Sequence, residues 1–263
     1  MATVKDVAKL VEKLYPPQNV CMQDYIGLFV GDFDSRVTKV LVCLDCTLNI
    51  VEEAALSGAQ MIISHHPLIF GSIGRVTADD PVGRTILFAA KRGISVYSAH
   101  TNMDCTKGGI NDFVAKKLGL INAEPLVEVN ENAALGRVGE LEKPISVSEY
   151  ARFIAEKLSD KHVKAYGEDK TVKRAAVING AGGDVETVIA AKKKGADVLV
   201  TGEIKHHVAL YARSEGLSII EVGHYASERI YIPRLTELLS FEAKKNDLEI
   251  QFTAAESESD PAL

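Results

Sequence analysis

Short apolar runs recur along the first part of the chain, and each is bounded by glycine or polar residues. Val40–Leu44 is continuously apolar, which is typical of a strand buried on both faces of a parallel sheet. Later segments alternate between helical and extended patterns. The pattern predicts strands at Val40–Leu44, Gln60–Ser64 and Gly93–Tyr97, separated by helices at Ile50–Leu56 and Thr85–Arg92.

The same order of elements recurs further along the chain. Gly58–Ser64 and Gly195–Thr201 both read glycine, alanine, a polar residue, three apolar residues and a hydroxyl. The pattern predicts strands at Ala175–Ile178, Asp197–Thr201 and Gly216–Ile220, with helices at Val185–Lys194 and Val208–Glu215. Alternating strands and helices indicate parallel sheets covered by helices. We therefore expect two similar β-α-β-α-β halves, against the alternative of two coincidentally similar crossovers.

The segment between the halves sets the expected domain organisation. Residues 122–134 are polar and irregular, and Ser146 with Glu149 fits a capping box at the start of a helix over Val147–Leu158. We expect a first half at 1–130, a second half at 131–255 and a disordered acidic tail at 256–263. The first 17 residues favour an amphipathic helix and lack the apolar core of a secretory signal.

Composition narrows the class of protein. The 263 residues are 46% hydrophobic and 25% charged, as in an ordinary globular protein, and no apolar run reaches the roughly 18 residues of a membrane span. The net charge of −6 disfavours a dedicated nucleic-acid binder. Cys43 and Cys46 have redox-motif spacing, but without a second pair we interpret them as incidental thiols in a reducing cytosol. We expect a cytoplasmic protein with no membrane partner.

Three clusters of histidine and carboxylate lie at the ends of the apolar runs. His65 and His66 are adjacent, whereas His100 with Asp104 and His224 with Glu228 are spaced four residues apart. On a helix this spacing puts both side chains on one face. Imidazole and carboxylate together suit Zn, Fe, Mn, Co or Ni. The clusters predict one composite metal site with two divalent ions.

Two further segments are candidates for binding a substrate. The loop from Asn179 to Asp184, with Gly182 and Gly183, follows a strand and opens a helix, so its N–H groups suit an anion. A tight turn explains the same glycines equally well. Lys205 is a candidate for contact with phosphate and His207 for the pocket, or the segment is a solvated helix start. Cys105 is a candidate soft ligand or a small filler residue.

Six motifs of the chain together form a recognisable signature. They are Asp45-Cys46-Thr47, Ile62–Phe70, Ala99–Asp104, Gly180–Asp184, Thr201–His207 and Gly223–Glu228. In their order and spacing they resemble a known family over about residues 5–250. The chain is similar to the GTP cyclohydrolase 1 type 2 homologues, also called Nif-three-like proteins, in the short form without an inserted domain. It departs from the pattern in having Cys105 where a small apolar residue is usual.

The resemblance implies a three-layer α/β fold whose two similar halves face each other around a dinuclear metal cleft. It also implies a ring-shaped homohexamer. Glu228 would bridge the ions, with His66 and Asp104 on one metal and His65 and His224 on the other. The metal ligands that it implies are His65, His66, Asp104, His224 and Glu228.

Three classes of function follow from these features. The favoured one is a metal-dependent hydrolase that opens a purine nucleotide or related heterocycle, with His100 and His207 as proton donors. The other roles open to His100 are ligating a metal, orienting Asp104 through a hydrogen bond and capping a strand; of these we favour the orienting role. The alternatives are a nucleic-acid- or transcription-associated ring protein without robust catalysis and a metal-handling protein. Open coordination positions favour the hydrolase, and the acidic charge disfavours nucleic acid.

Overall fold

The chain forms two compact units in a computed structural model that describes residues 1–21 and 23–262. The N-terminal unit comprises Met1–Met103 and Ile232–Leu263, and the central unit, central in sequence, comprises Asp104–Tyr231. This division differs from the boundary expected at 130/131. Residues 130 and 131 lie where two paired strands of a single sheet meet, so a boundary there would divide that sheet.

Five strands lie in the described part of the N-terminal unit. Its helices are α1 (Val4–Leu14), α2 (Leu48–Ser57), α3 (Pro81–Arg92) and, after the central unit, α10 (Ile232–Lys245), with α4 (Thr101–Cys105) leading out of it. Its strands are β1 (Gly27–Val30), β2 (Lys39–Cys43), β3 (Met61–Ser64), β4 (Ser95–Ser98) and β11 (Gln251–Ala254). They form one sheet in the order β1-β4-β3-β2-β11.

Helices cover both faces of this sheet. The strands β11, β2, β3 and β4 run parallel, and only the edge strand β1 is antiparallel. Leu41 and Ile62 belong to a buried cluster under α2 and α3, whereas Val40 and Val42, which point the opposite way, are also buried. On that second side α10 packs on β2 and β11. Burial on both faces explains why these strands are continuously apolar.

The central unit contains six strands. Its helices are α5 (Ile110–Lys117), α6 (Val147–Leu158), α7 (Val185–Lys193), α8 (His206–Ser214) and α9 (His224–Arg229). Its strands are β5 (Leu120–Asn130), β6 (Ala133–Ser146), β7 (Lys164–Tyr166), β8 (Thr171–Ile178), β9 (Val198–Thr201) and β10 (Ser218–Glu221). They form a mixed sheet in the order β5-β6-β8-β9-β10-β7, in which β8, β9 and β10 are parallel.

The predicted repeat of elements is confirmed. In the N-terminal unit β2-α2-β3-α3-β4 is a pair of parallel crossovers, and in the central unit β8-α7-β9-α8-β10 is another. Gly58 and Gly195, which align in the sequence, both have positive φ, at 73° and 72°. Each follows a helix and turns the chain into the next strand, as glycine at a helix C-terminus commonly does. The α/β class is therefore correct for both units.

Two expectations from the sequence differ from the structure. The segment 122–134, expected to be irregular, belongs to the long antiparallel pair β5 and β6, and most of β5 is exposed, so its polar side chains resemble those of a loop. Of the tail 256–263, expected to be disordered, Glu258 accepts hydrogen bonds from the backbone N–H groups of Leu44 and Asp45. Leu263 lies outside the described residues.

The helix predicted after the polar segment agrees with the structure in type and length. The capping box of Ser146 and Glu149 is present at the start of α6, which spans the predicted Val147–Leu158. Among the described residues, no helix is both long and apolar enough to cross a membrane.

Candidate metal centre

Three histidines come together at one edge of the N-terminal sheet. His65 and His66 follow β3 directly, and His100 follows the neighbouring parallel strand β4. The ring centroids of His65 lie 5.0 Å from His66 and 5.2 Å from His100. One nitrogen from each ring lies within 4.8 Å of the others, a spacing at which a single ion could be held. Parallel strands place their carboxyl ends at the same edge, which is why residues far apart in sequence meet here.

Each of these rings is held by an acceptor on its Nδ1 nitrogen. The partners are the backbone oxygen of Ala99 for His65, at 3.1 Å, and the Asp45 carboxylate for His66, at 2.8 Å. His100 donates to Asp24 at 2.8 Å. Because a carbonyl or carboxylate oxygen accepts, Nδ1 carries the proton and the lone pair of the neutral ring is on Nε2. Metal-ligating histidines commonly have this arrangement.

Asp24 is the anchor for the segment that carries His100. Its second carboxylate oxygen accepts the hydroxyl and the backbone N–H of Thr101, at 2.6 and 3.0 Å. Burial pushes the pKa of Asp24 upward, but the hydrogen bonds from His100 and Thr101 outweigh it and hold that pKa well below its usual value. Asp24 is therefore ionised at neutral pH and fixes the ring of His100.

The central unit contributes a different set of donors. His224 and Glu228 lie four residues apart on the short helix α9, which follows β10. The Nδ1–H of His224 donates to Glu203 at 2.7 Å. On the other side of the ring, Nε2 lies 3.0 Å from Oε2 of Glu228. A neutral imidazole nitrogen and a carboxylate oxygen both present lone pairs, which repel each other at this distance. Only a shared proton or a cation between them makes the contact favourable.

Two buried carboxylates of the central unit share one amide donor. The Asn179 side-chain amide donates to Asp104 and to Glu228, at 2.8 Å in each case. Asp104 and Glu228 are only 6% and 3% exposed. Buried carboxylates are costly unless they are paired or bind a cation, and a neutral amide does not supply that charge. The residues present therefore fit a divalent ion.

Gly180, in the loop after β8, lies so close to Glu228 and His224 that a side chain would not fit at this position. Gly180 has a φ of +58°, and a Cβ atom there would lie 2.2 Å from Oε1 of Glu228 and 3.3 Å from Nε2 of His224. Its N–H donates to the hydroxyl of Ser227, one residue before Glu228. At the start of α9, the buried Asp160 accepts the N–H of Gly223 at 2.8 Å. These contacts fix the helix that carries both ligand candidates.

The candidates for binding substrate lie in the same unit. Lys205 is the residue before α8, His206 and His207 begin that helix, and all three are exposed. A Cβ on Gly182 would lie 2.3 Å from Ile178, and one on Gly183 would lie 2.3 Å from the oxygen of Glu203. Close packing of the turn therefore requires glycine at both positions.

The cysteines do not form a redox pair. Burial raises the pKa of the Cys46 thiol to about 12, so the thiolate that such chemistry needs does not form near neutral pH. Cys43 lies on β2, and both thiols are reduced and buried. Cys105 is a third buried thiol, at the end of α4.

Four residues that hold the ligand candidates were not singled out by the sequence reasoning. They are Asp24, Asp45, Asn179 and Glu203. Asn179 directly follows β8, and Asp45 and Glu203 each stand two residues after the end of a strand, within segments quoted above. A polar residue just after a buried strand was therefore a usable signal. Asp24 lies in an irregular segment 76 residues before its partner and gave no such signal.

Comparison with known proteins gives consistent matches over nearly the whole chain. The GTP cyclohydrolase 1 type 2 homolog of Clostridium perfringens is 34% identical over 264 residues, with 98% of each chain covered. The structure of a Bacillus cereus protein related to NIF3 superposes with a TM-score of 0.93 at 25% identity, covering 100% of this chain and 99% of that one. The Staphylococcus aureus hypothetical protein SA1388 gives 0.90 at 30% identity, covering 99% and 98%.

The family model of Duf34/NIF3 (NGG1p interacting factor 3) matches residues 2–261. This span includes both units and every ligand candidate, in agreement with the family that the motifs resemble. The chain therefore belongs to the Duf34/NIF3 family.

Proposed function

We propose that this protein is a metal-dependent hydrolase that opens a purine nucleotide or a related heterocycle. His65, His66, Asp104, His224 and Glu228 would together hold two divalent ions of the Zn, Fe, Mn, Co or Ni type. The observation that carries the proposal is that each histidine of this set has an acceptor on Nδ1, so that Nε2 is the nitrogen turned to a metal.

The number of candidate ligands supports two ions rather than one. Asp104 and Glu228 bring two buried negative charges, which one divalent ion would already balance, so the argument for a second ion is the ligand count. Five protein ligands are too many for one open tetrahedral ion and too few to close two shells. Positions for water and substrate therefore stay open, as hydrolysis requires. Glu228 would bridge the two ions, as the family resemblance implies, and its contact with His224 is compatible with a shared ion.

The proposed reaction needs an activated water and a proton for the departing ring nitrogen. When bound, the two ions would supply the Lewis acidity that activates water and stabilises negative charge in the transition state. His100 is suited to deliver the proton because the hydrogen bond to the ionised Asp24 fixes the orientation of its ring. His207, exposed at the start of α8, is the second candidate donor.

The substrate class rests on the relatives and on basic and backbone donors in the central unit. The Clostridium perfringens relative, at 34% identity, carries the name GTP cyclohydrolase 1 type 2 homolog. Lys205 is exposed next to His206 and His207, and we assign it to a phosphate of the substrate. Gly182 and Gly183 would add backbone N–H contacts, although the N–H of Gly182 also closes a turn onto Asn179. We further propose a homohexamer, as the family resemblance implies, and a cytoplasmic location, where the buried thiols would stay reduced.

The experiment that tests the proposal combines chelation with one ligand variant. Metal-loaded protein should open the ring of GTP, followed by the loss of purine absorbance, and chelation should abolish this activity. Adding metal should restore the wild type but not His66→Ala. His162→Ala, which removes an exposed histidine of the central unit, is the matched control and should keep full activity. Lys205→Ala should chiefly raise KM, because a phosphate contact away from the reacting atom is uniform binding.

A different outcome would replace the hydrolase with a binding protein. In that case metal-loaded protein turns over no nucleotide, GTP included, yet binds single-stranded DNA with a steep dependence on salt. Metal that binds tightly and transfers to another protein, without turnover, would instead indicate metal handling.

A further inference from the structure

Phe70 is an exposed aromatic residue beside the histidine cluster. It lies in the loop between β3 and α3, four residues after His66, and its side chain is 74% exposed. Phe33 and Phe241, at 46% and 63%, are the other strongly exposed phenylalanines among the described residues. Phe70 is the most exposed of the three and the one in contact with a histidine of the cluster. A single exposed apolar side chain is ordinary on a protein surface, so what distinguishes Phe70 is its contact with His100 of the histidine cluster.

The ring of Phe70 belongs to a continuous series of rings that leads to the candidate ligands. Its centroid lies 5.5 Å from Tyr25 and 6.1 Å from His100, with the planes of Phe70 and His100 at 86°. The ring of His100 is in turn 5.2 Å from His65 and 5.7 Å from His66. In this perpendicular arrangement His100 covers only an edge or one face of the Phe70 ring. Most of the surface of Phe70 stays open, as its exposure shows.

We propose that Phe70 is the stacking platform for the planar heterocyclic ring of the substrate, with Tyr25 supporting it from the side. This inference rests on the proposed function, because it assigns the ring-binding part of the same site. A ring stacked on Phe70 would lie next to His100, the residue proposed to protonate the departing nitrogen. Stacking on an aromatic side chain tolerates different bases, because every base has a π-face. The platform would therefore select for a planar ring rather than for one particular base.

The surroundings of Phe70 favour a small ligand over a macromolecule. Asp24 and Asp45, each bonded to a histidine, bring two carboxylates to the cluster beside it. The core of a protein interface is depleted of charged residues, whereas a small-molecule site combines an apolar wall with a few fixed polar groups. The same carboxylates repel the closely spaced phosphates of a nucleic acid. A single nucleotide or nucleoside fits this combination.

The test uses the absence of tryptophan from the sequence. Phe70→Trp places a unique fluorescent stacking residue at the site, and Phe241→Trp places one on α10 of the same unit as the matched control. Each variant is titrated with guanosine monophosphate and with ribose 5-phosphate, which keeps the sugar and the phosphate but lacks the ring. Fluorescence is read on the protein as purified and again after metal loading.

Guanosine monophosphate should quench Phe70→Trp in a saturable manner, and ribose 5-phosphate should not. Neither compound should give saturable quenching of Phe241→Trp. Phe70→Ala should bind guanosine monophosphate roughly 10- to 100-fold more weakly than the wild type by calorimetry, whereas Phe241→Ala should bind it equally well.

Three results would overturn the assignment. One is quenching that is equal for both tryptophans, and another is equal affinity in Phe70→Ala and the wild type. The third is a Phe70→Trp spectrum that changes with protein concentration but not with nucleotide, which would mean that a second copy covers this residue. Saturable quenching without any turnover would support the stacking site but contradict the proposed hydrolase activity. The two proposals can therefore be rejected independently of each other.

Discussion

The two units supply chemically different halves of the candidate ligand set. In the N-terminal unit three histidines cluster, and a carbonyl and two carboxylates fix their rings from outside. In the central unit one histidine stands with two buried carboxylates, which a single amide holds together. His100 follows β4, the last strand of the β-α-β-α-β arrangement in the N-terminal unit, and His224 with Glu228 follows the corresponding strand β10 in the central unit. The same scaffold therefore carries oriented neutral donors in one unit and buried negative charge in the other.

This difference predicts how each unit responds to the loss of metal. Neutral histidines with a fixed tautomer can remain as they are when an ion leaves. Buried carboxylates cannot, because without a cation their charges repel each other and must be relieved by protonation or rearrangement. The stability of the central unit should therefore depend on bound metal. In the N-terminal unit, the loss of metal should mainly affect activity.

The largest expected effect is the removal of the carboxylate at Glu228. Glu228→Ala should reduce the bound metal from about two ions per chain to one or none, because this side chain would serve both ions. His100→Ala should lose much less, since His100 is proposed to transfer protons. Elemental analysis of metal-loaded samples measures both. Equal losses from the two variants would contradict the bridging role.

A charge change at Asn179 tests the dependence of the central unit on a cation. Asn179→Asp keeps the size of the side chain but adds a third buried carboxylate, and should destabilise the metal-free protein by about 3–5 kcal/mol. Saturating metal should recover much of this loss, because a cation compensates the added charge. Urea unfolding with and without metal measures it, with the exposed Asn132→Asp as the control. A loss that metal does not change would indicate that no cation binds there.

The two orienting carboxylates provide a direct comparison of the units. Asp45→Ala removes the partner of His66, and Glu203→Ala removes the partner of His224. Each should weaken metal binding by about 10- to 100-fold, the usual effect of removing an orienting hydrogen bond from a ligand histidine. Competition with a chelator of known affinity measures both. If only one variant weakens binding, only that unit supplies a metal ligand in the proposed way.

The smallest expected effect concerns the pH dependence that Asp24 gives to the N-terminal unit. Its pKa is lower in the folded protein than in the unfolded chain, so its stabilising contribution is present above the unfolded pKa, near 4, and is lost as the pH falls through the folded value. Near neutral pH, Asp24→Asn should therefore lower the free energy of unfolding by on the order of 2 kcal/mol.

That difference between Asp24→Asn and the wild type should close as the pH falls below about 4. Urea unfolding of the metal-free proteins at a series of pH values measures it, with the exposed Asp34→Asn as the control. A difference that is constant with pH would show that the charge of Asp24 is not what stabilises this segment.

The sequence predicted those elements whose burial leaves a periodic signal. The strands β2, β3 and β9 and the second half of β8 are buried along nearly their full length, so the residues there are almost all apolar. The strand β5 has a different burial pattern: it is an edge strand with mostly exposed side chains, and its polar sequence resembles that of a loop. Its strand conformation depends on pairing with β6, and pairing leaves little trace in the polarity of a single strand.

The candidate ligands were accessible from the sequence because their residue types are unusual at strand ends. His65, His66 and Glu228 stand out beside apolar runs, and the family motifs reinforce them. The residues that orient them do not stand out, because an aspartate such as Asp24 is unremarkable in an irregular segment. Its role arises from a contact with His100 across 76 residues, which only the folded chain displays.

The insertion of the central unit into the N-terminal unit has a consequence for biosynthesis. The chain leaves the N-terminal unit at Met103 and returns at Ile232, and β11 then pairs with β2 as the last strand of the first sheet. On a translating ribosome the whole central unit emerges before β11 does. The unit that begins first is thus completed last, and until then β2 has an open edge that a chaperone or another nascent chain could occupy.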